Sequence, residues 1–266
     1  MTAYLSLIKI RFLVELQYRA AAAAGFFTQF FFGFVRAMVF IAFYSSTTQV
    51  QPMSLDQAVT YSWLVQVTFR MIPWYGDTEM INMIRSGGVA YELCRPLNLY
   101  AAWYSRLLAQ RVVPVLLGGI PTLVLALLLP GHYGMALPVS PSAGLAFFVS
   151  LVGALFLGCA VTNIISISTL WTVAGEGMQR IVPTAVMFLS GLTIPLAFFP
   201  DWSQPVLGLL PFSSLADVPY RFYIGAIPSV RLFQHLALQA AWTFLFIVFG
   251  LWLLRVGTNR AVIQGG

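Results

Sequence analysis

Charge is what this chain has least of. Asp, Glu, Lys and Arg make up 8% of its 266 residues, against roughly 25% in a soluble globular domain, so a water-soluble fold is excluded. Lysine is nearly absent, Lys9 being the only one. A phosphate-cradling G-x-x-x-x-G-K-[ST] loop needs a lysine after its glycines, so the chain cannot hold an ATPase site of that kind. The two cysteines, Cys94 and Cys159, have no metal-ligand spacing and fall where a structural disulfide is not expected. The two histidines, His132 and His235, have no Asp or Glu at ligand spacing, which argues against a metal or catalytic centre. No linker-like low-complexity stretch divides the sequence, and we expect one membrane domain over residues 1–266.

Apolar sequence is what fills it. Hydrophobic residues account for 59% and mean hydropathy is +0.85. Nearly uncharged windows of about 20 residues, enough to cross a hydrocarbon core of about 30 Å, recur at roughly 22–45, 55–75, 107–130, 143–169, 181–200 and 232–254. The expected class is therefore all-α integral membrane, with six transmembrane helices. No short apolar stretch followed by a cleavage site precedes the first window, so insertion is expected to use that span itself.

The basic residues orient these spans. Lys9, Arg11 and Arg19 precede the first; Arg85, Arg95, Arg106 and Arg111 are assigned to the connection between the second and third; Arg180 separates the fourth and fifth; Arg255 and Arg260 follow the sixth. These segments alternate to one side, which by the positive-inside bias is the cytoplasm and places both termini there. The net charge of +6 is accounted for by topology, and no nucleic-acid partner is needed to explain it.

Inside the spans, polar residues form stripes. Gly25, Gln29, Gly33 and Arg36 share one helical face in the first span, and Ser62, Gln66 and Arg70 another in the second. An exposed charge near a span centre costs at least about 2.5 kcal/mol, so Arg36 should meet protein or water. Gln29, Arg36, Gln66 and Arg70 are the candidate lining of a substrate path, with interhelical glue as the structural alternative. Asn163, Ser166 and Thr169 in the fourth span read as glue.

The connecting segments differ in character. Residues 1–20 place Arg11, Glu15 and Arg19 on one stripe beside Leu5, Ile8, Phe12 and Leu16, as in a helix lying at the membrane surface. Residues 77–106 carry two short helical stretches punctuated by Gly87, Gly88 and Pro96. Their apolar residues Met80, Ile81, Met83, Ile84, Val89, Tyr91 and Leu93 suggest an exposed ridge for a protein partner. Residues 200–228 are rich in aromatics and broken by Pro205, Pro211 and Pro219, suggesting short external re-entrant helices.

Two motifs, in order among these spans, resemble the membrane subunits of type-2 ATP-binding-cassette exporters, in the branch of daunorubicin-type drug exporters and related permeases. They are MIRSGGVAYELCRPLNL at 83–99 and LSGLTIPLAFFPDWSQPVLGLLPFSSLADVPYRFYIG at 189–225. The resemblance implies an exporter permease that moves an amphipathic or hydrophobic substrate outward across a bacterial inner membrane. It implies two separate ATPase subunits and a second permease chain, identical or paralogous, in the same bilayer. The chain itself would bind no cofactor, with ATP and Mg on the partner ATPase. Coupling to that ATPase would fall to Glu79, Ile84, Arg85, Gly87, Gly88 and Glu92, and to Glu176 in a second contact at 170–180. There Gly175-Glu176-Gly177 departs from the regular helical end the family leads one to expect. An external gate would involve Pro200, Trp202, Pro211 and Phe212.

Two other classes compete. A secondary transporter or channel would favour intramembrane carboxylates and an inverted repeat, but Asp56 and Glu176 fall at span ends and the two halves of the chain do not read alike. A lipid-modifying membrane enzyme would need a nucleophile, an acid–base pair or a metal cluster near an interface, and the sequence carries no such constellation.

Overall fold

The computed structural model describes residues 2–17, 19–171 and 176–260. Among these, every regular element is helical. Helix α1 (Thr2–Gln17) leads into α2 (Arg19–Ser46); α3 (Leu55–Thr68) returns, followed by the short α4 (Thr78–Arg85) and α5 (Val89–Leu93). Helix α6 (Leu99–Pro114) passes through a π-helical turn, Val115–Gly119, into α7 (Ile120–Leu128). Then come α8 (Pro141–Ile167), α9 (Glu176–Leu189), the short α10 (Gln204–Leu209) and α11 (Asp217–Tyr223), and α12 (Leu232–Arg260).

Among the described residues, four stretches are long and apolar enough to cross a membrane: Ala23–Ser46, Leu99–Leu128, Pro141–Leu170 and Ser229–Asn259. They coincide with the expected first, third, fourth and sixth spans. The third starts at Leu99 rather than 107, because Asn98 caps the helix by accepting a hydrogen bond from the Ala101 N–H at 3.0 Å. The expected spans 55–75 and 181–200 are only partly helical. Helix α3 has 14 residues and gives way to a tight turn over Phe69–Met71 before Pro73. Helix α9 also has 14 residues and stops before Gly191, whose φ of 84° belongs to the left-handed region.

Helix α3 is the centre of the molecule. A capping box starts it: Ser54 Oγ accepts from the Gln57 N–H at 3.2 Å while Gln57 Oε1 accepts from the Ser54 N–H at 2.9 Å. Every residue from Ala58 to Thr68 is buried, as expected of a helix enclosed by protein on all sides. Its neighbours are α2, α7, the π-helical turn and α11. The π-helical turn follows Pro114, which lacks the amide hydrogen a regular turn requires. It also brings Gly119 against α3, where a Cβ would lie 2.4 Å from the Val67 carbonyl oxygen.

A second packing unit joins α8 to α12. Gln239 is 1% exposed and its amide donates to Ser150 O at 3.1 Å and Ser214 O at 2.8 Å. Gly153 makes room for that amide, since a Cβ there would fall 2.4 Å from Gln239 Oε1.

The connections gather at two ends. At one, Gln57 Nε2 donates to Ile224 O at 3.1 Å, Val139 N to Tyr223 O at 3.3 Å, and the exposed His132 pairs with Asp56 at 2.8 Å. At the other, the Asp77 N–H donates to Ser166 Oγ at 2.8 Å, Trp171 Nε1 to Leu253 O at 3.3 Å, and Arg11 pairs with Glu79 at 3.0 Å. Ser166 thus ties α8 to the start of α4, whereas the buried Thr169 hydroxyl has no hydrogen-bond partner among the described residues. Cys94 is exposed and Cys159 buried, both as free thiols.

Candidate functional site: an arginine-lined cavity

Between α2, α3, α6 and the chain after α9 lies an open cavity of about 840 Å³. Its wall includes all four residues expected to face a path: Gln29 and Arg36 from α2, Gln66 from α3, and Arg70 from the turn that follows it. Helical spacing explains the pairing, because residues three, four or seven apart share a face. Gly33 belongs to the same stripe but does something else. It is buried against Trp63 of its own chain, so it serves packing within the subunit rather than the approach of a partner helix, while Gly25 has nothing within 4 Å.

The cavity runs from the α4 end, where Arg11, Asp77 and Thr78 line it, to Leu192 and Thr193 beyond α9. Phe32, Val65, Phe69, Ile72, Trp74 and Leu107 give it apolar walls. Arg36 is half-buried, with the Tyr61 and Tyr220 rings in electrostatic reach, and Arg70 is exposed. Neither guanidinium has a hydrogen-bond or ion-pair partner among the described residues.

Arg111 is the lining residue that sequence reasoning missed. Grouped with the inner connecting segment, it lies instead inside α6, 7% exposed, donating to the Met71 carbonyl and the Thr162 hydroxyl. Its signal was available: it stands three residues before Pro114 in an otherwise apolar run.

The 77–106 segment is tied to the body of the protein. Asp77 caps α4, its Oδ1 accepting from the Met80 N–H at 2.8 Å, and Glu79 bridges Arg11 at 3.0 Å and Arg106 at 2.6 Å. The expected outward apolar ridge divides. Met80, Ile81 and Val89 are buried, and Met83 and Ile84 pack partly against the same core as Trp103 and Leu107. The α4 face that carries Met80, Met83 and Ile84 closes, with Val89 of α5, onto a cluster that includes Trp103 and Leu107 of α6 and Cys159 and Ile167 of α8. Of the ridge's apolar residues only Tyr91 and Leu93 remain outward, beside exposed polar positions that include Glu79, Arg85, Ser86, Gly87 and Arg95. Gly88 is half-buried, and Glu92 pairs with Arg95 at 2.9 Å. In the second expected contact, residues 172–175 and the side chain of Glu176 lie outside the described residues.

The 200–228 segment holds an exposed rim and a buried floor. Pro200 and Trp202 are exposed, Pro211 is buried, and Phe212 packs partly against the central core. Helix α11 lies against α8 and α3. Its Asp217, 1% exposed, accepts hydrogen bonds from the Tyr61 hydroxyl at 2.9 Å and the Leu196 N–H at 3.2 Å. Tyr220, fully buried, shares a hydrogen bond with Thr68. Sequence reasoning placed Asp217 in an outer connection and gave no hint of its burial.

Residues 30–265 match a family model described as ABC-2 family transporter protein. No curated protein and no solved structure matches the chain.

Proposed function

The chain belongs to the ABC-2 family of transporter proteins, and on that footing we propose that it is one permease subunit of an ATP-driven exporter moving an amphipathic or hydrophobic substrate outward. The family makes it a multi-pass membrane component of an ABC transporter, and the absence of a P-loop lysine fits a motor on another polypeptide. The observation that carries the reading is the cavity: an open space with apolar walls and a few placed polar groups is what an amphipathic molecule needs.

In this reading the chain crosses the membrane six times, with α3 and α9 as shortened crossings, α3 enclosed by its neighbours and α9 presenting an exposed apolar face that includes Ile181 and Phe188. Both termini face the cytoplasm of a bacterial inner membrane, in keeping with the side on which Lys9, Arg11, Arg85 and Arg95 collect. Two ATPase subunits, carrying ATP and Mg, dock at Glu79, Arg85, Gly87, Gly88 and Glu92, with Ile84 behind them, and a second contact lies at Glu176. A second permease chain, identical or paralogous, closes the open side of the cavity. The 200–228 segment, with Pro200, Trp202, Pro211 and Phe212, forms the outer gate. The drug-exporter branch suggested by the motifs at 83–99 and 189–225 belongs to the same proposal.

The test is co-purification and turnover. A free ABC ATPase encoded beside this chain should co-purify with it and, in liposomes, hydrolyse ATP faster when an amphiphilic substrate is present. A chain that purifies without any ATPase, or a complex whose hydrolysis ignores every amphiphile offered, would overturn the reading.

A further inference from the structure

The charges along the cavity wall narrow the class of substrate. Four arginines line it, Arg11, Arg36, Arg70 and Arg111, with a single carboxylate, Asp77. Two of the four are accounted for. Arg11 pairs with Glu79 at 3.0 Å, and Arg111 donates to Met71 and Thr162 with Asp77 in electrostatic reach. Arg36 and Arg70 have no such compensation among the described residues.

These two stand at different depths. Gly33 of α2 abuts Trp63 of α3, and the two helices are antiparallel, joined by residues 47–54. Arg36 is therefore level with about residue 60 of α3, consistent with its proximity to Tyr61. Arg70 lies ten residues further along, which at a rise of about 1.5 Å per residue is about 15 Å towards the α4 end. Between them the wall offers the neutral amides of Gln29 and Gln66 and the apolar faces of Phe32, Val65 and Phe69.

We infer that the transported molecule is an amphiphile with an anionic head of the phosphate or carboxylate type, engaged first by Arg70 and then by Arg36. The inference deepens the permease reading and rests on it. A guanidinium presents a planar fork that matches either head group bidentately, and an uncompensated arginine at this depth is stabilised by any anion that reaches it. Two stations are better than one for passage, since a single tight site would hold its occupant while a second lets it move on. Apolar walls on the same cavity take the tail, so a bare inorganic anion uses only half of what the site offers.

Binding can be measured without the motor, which separates this inference from the permease reading. The full chain in phosphatidylcholine nanodiscs should bind radiolabelled dodecyl phosphate at least about tenfold more tightly than dodecanol, a difference of about 1.4 kcal/mol. Dodecyltrimethylammonium and inorganic phosphate should not compete. Arg36→Gln and Arg70→Gln should each erase most of the preference, and Arg36→Lys should retain part of it. Arg70 is exposed, so its variant keeps the test sound even if Arg36→Gln fails to fold. Displacement by phosphatidylglycerol supports a membrane lipid as the source of the head group; resistance to it, with the preference intact, supports a separate amphiphile. Equal binding of dodecyl phosphate and dodecanol, or a preference unchanged in Arg70→Gln, overturns the inference. Failure of ATP-driven transport with binding selectivity intact counts instead against the permease reading.

Discussion

Gly33 of α2 sits so close to Trp63 of α3 that a Cβ in its place would lie 2.3 Å from the indole ring. Trp63 is fully buried and its Nε1 donates to Tyr133 O at 2.8 Å, so the ring cannot swing aside without losing that bond. Gly33→Ala should therefore force α2 off α3 and cost about 1–3 kcal/mol. Gly25→Ala, with open space around it, should cost nothing comparable. Thermal unfolding of the two variants in detergent checks the contrast; equal midpoints would mean that α2 and α3 do not pack through this pair.

Tyr61 and Asp217 link the central helix to the 200–228 segment. Tyr61→Phe removes the hydroxyl that donates to the carboxylate at 2.9 Å and should destabilise by about 1–3 kcal/mol. Asp217→Asn keeps an acceptor for Tyr61 and for the Leu196 N–H, giving up only the ion pair with Arg221 at 3.6 Å, and should cost less, whereas Asp217→Ala also strands the Leu196 N–H and leaves Tyr61 only the Gly191 carbonyl at 3.1 Å, and should cost most. An unfolding series that fails to follow that order would show the segment to be held by apolar packing alone.

Four of the long apolar runs could be read from the sequence because a continuous run needs no neighbour to define it. The shortened helices could not be bounded that way: hydropathy stays high through Ile72 and through Leu196, and only Pro73, Gly191 and Pro195 mark where regular helix ends. Facing of side chains was partly legible. Gln29 and Arg36 share a stripe by spacing alone, and the cavity gathers them with Gln66 and Arg70. Met80, Ile81 and Val89 were misread as outward, since a short amphipathic helix beside charged residues looks the same whether its apolar face meets a partner or its own chain. Asp217 was missed because a charge in a sequence carries no mark of the hydrogen-bond partners that let it be buried, and Arg111 because it was grouped with the basic residues of the inner connection although it stands in an apolar run.

Arg111 should behave unlike the free arginines. Its guanidinium joins α6 to Met71 and to Thr162 of α8. Arg111→Ala takes a donor from the Met71 carbonyl, at about 1–3 kcal/mol, and leaves Thr162 only its own bond to the Gly158 carbonyl at 3.0 Å, while Arg111→Lys cannot reproduce a fork that reaches two acceptors. Both variants should lower the yield of folded protein on size exclusion, while Arg70→Gln should not. Normal recovery of Arg111→Ala would mean that the α6–α8 contact stands without it.

Gly87 adopts φ +73° between α4 and α5, a conformation that costs a residue with a side chain about 1–2 kcal/mol. Gly87→Val should tilt α5 relative to α4 without touching the cavity, and Glu92→Lys should break the 2.9 Å pair with Arg95. In the assembled transporter both should lower export per ATP hydrolysed. Parent-like coupling in both variants would move the ATPase contact elsewhere.

Orientation can be decided by labelling. Thr48 and Ser140 belong to the end where Gln57 meets Ile224, and Ser86 and Thr258 to the end where Trp171 meets Leu253. Cys94 is exposed and must first be replaced by Ser, whereas the buried Cys159 should stay silent to a polar maleimide. With the termini inside, single cysteines at Thr48 and Ser140 should react in intact cells, and those at Ser86 and Thr258 only after the membrane is opened. Thr48 and Ser86, both exposed, make the sharper pair, because Ser140 caps α8 by accepting from the Ala143 N–H at 3.1 Å and its replacement also weakens that helix start. Labelling of Ser86 from outside would invert the topology, and with it the side from which Arg70 receives an anionic head group and the side on which any ATPase could dock.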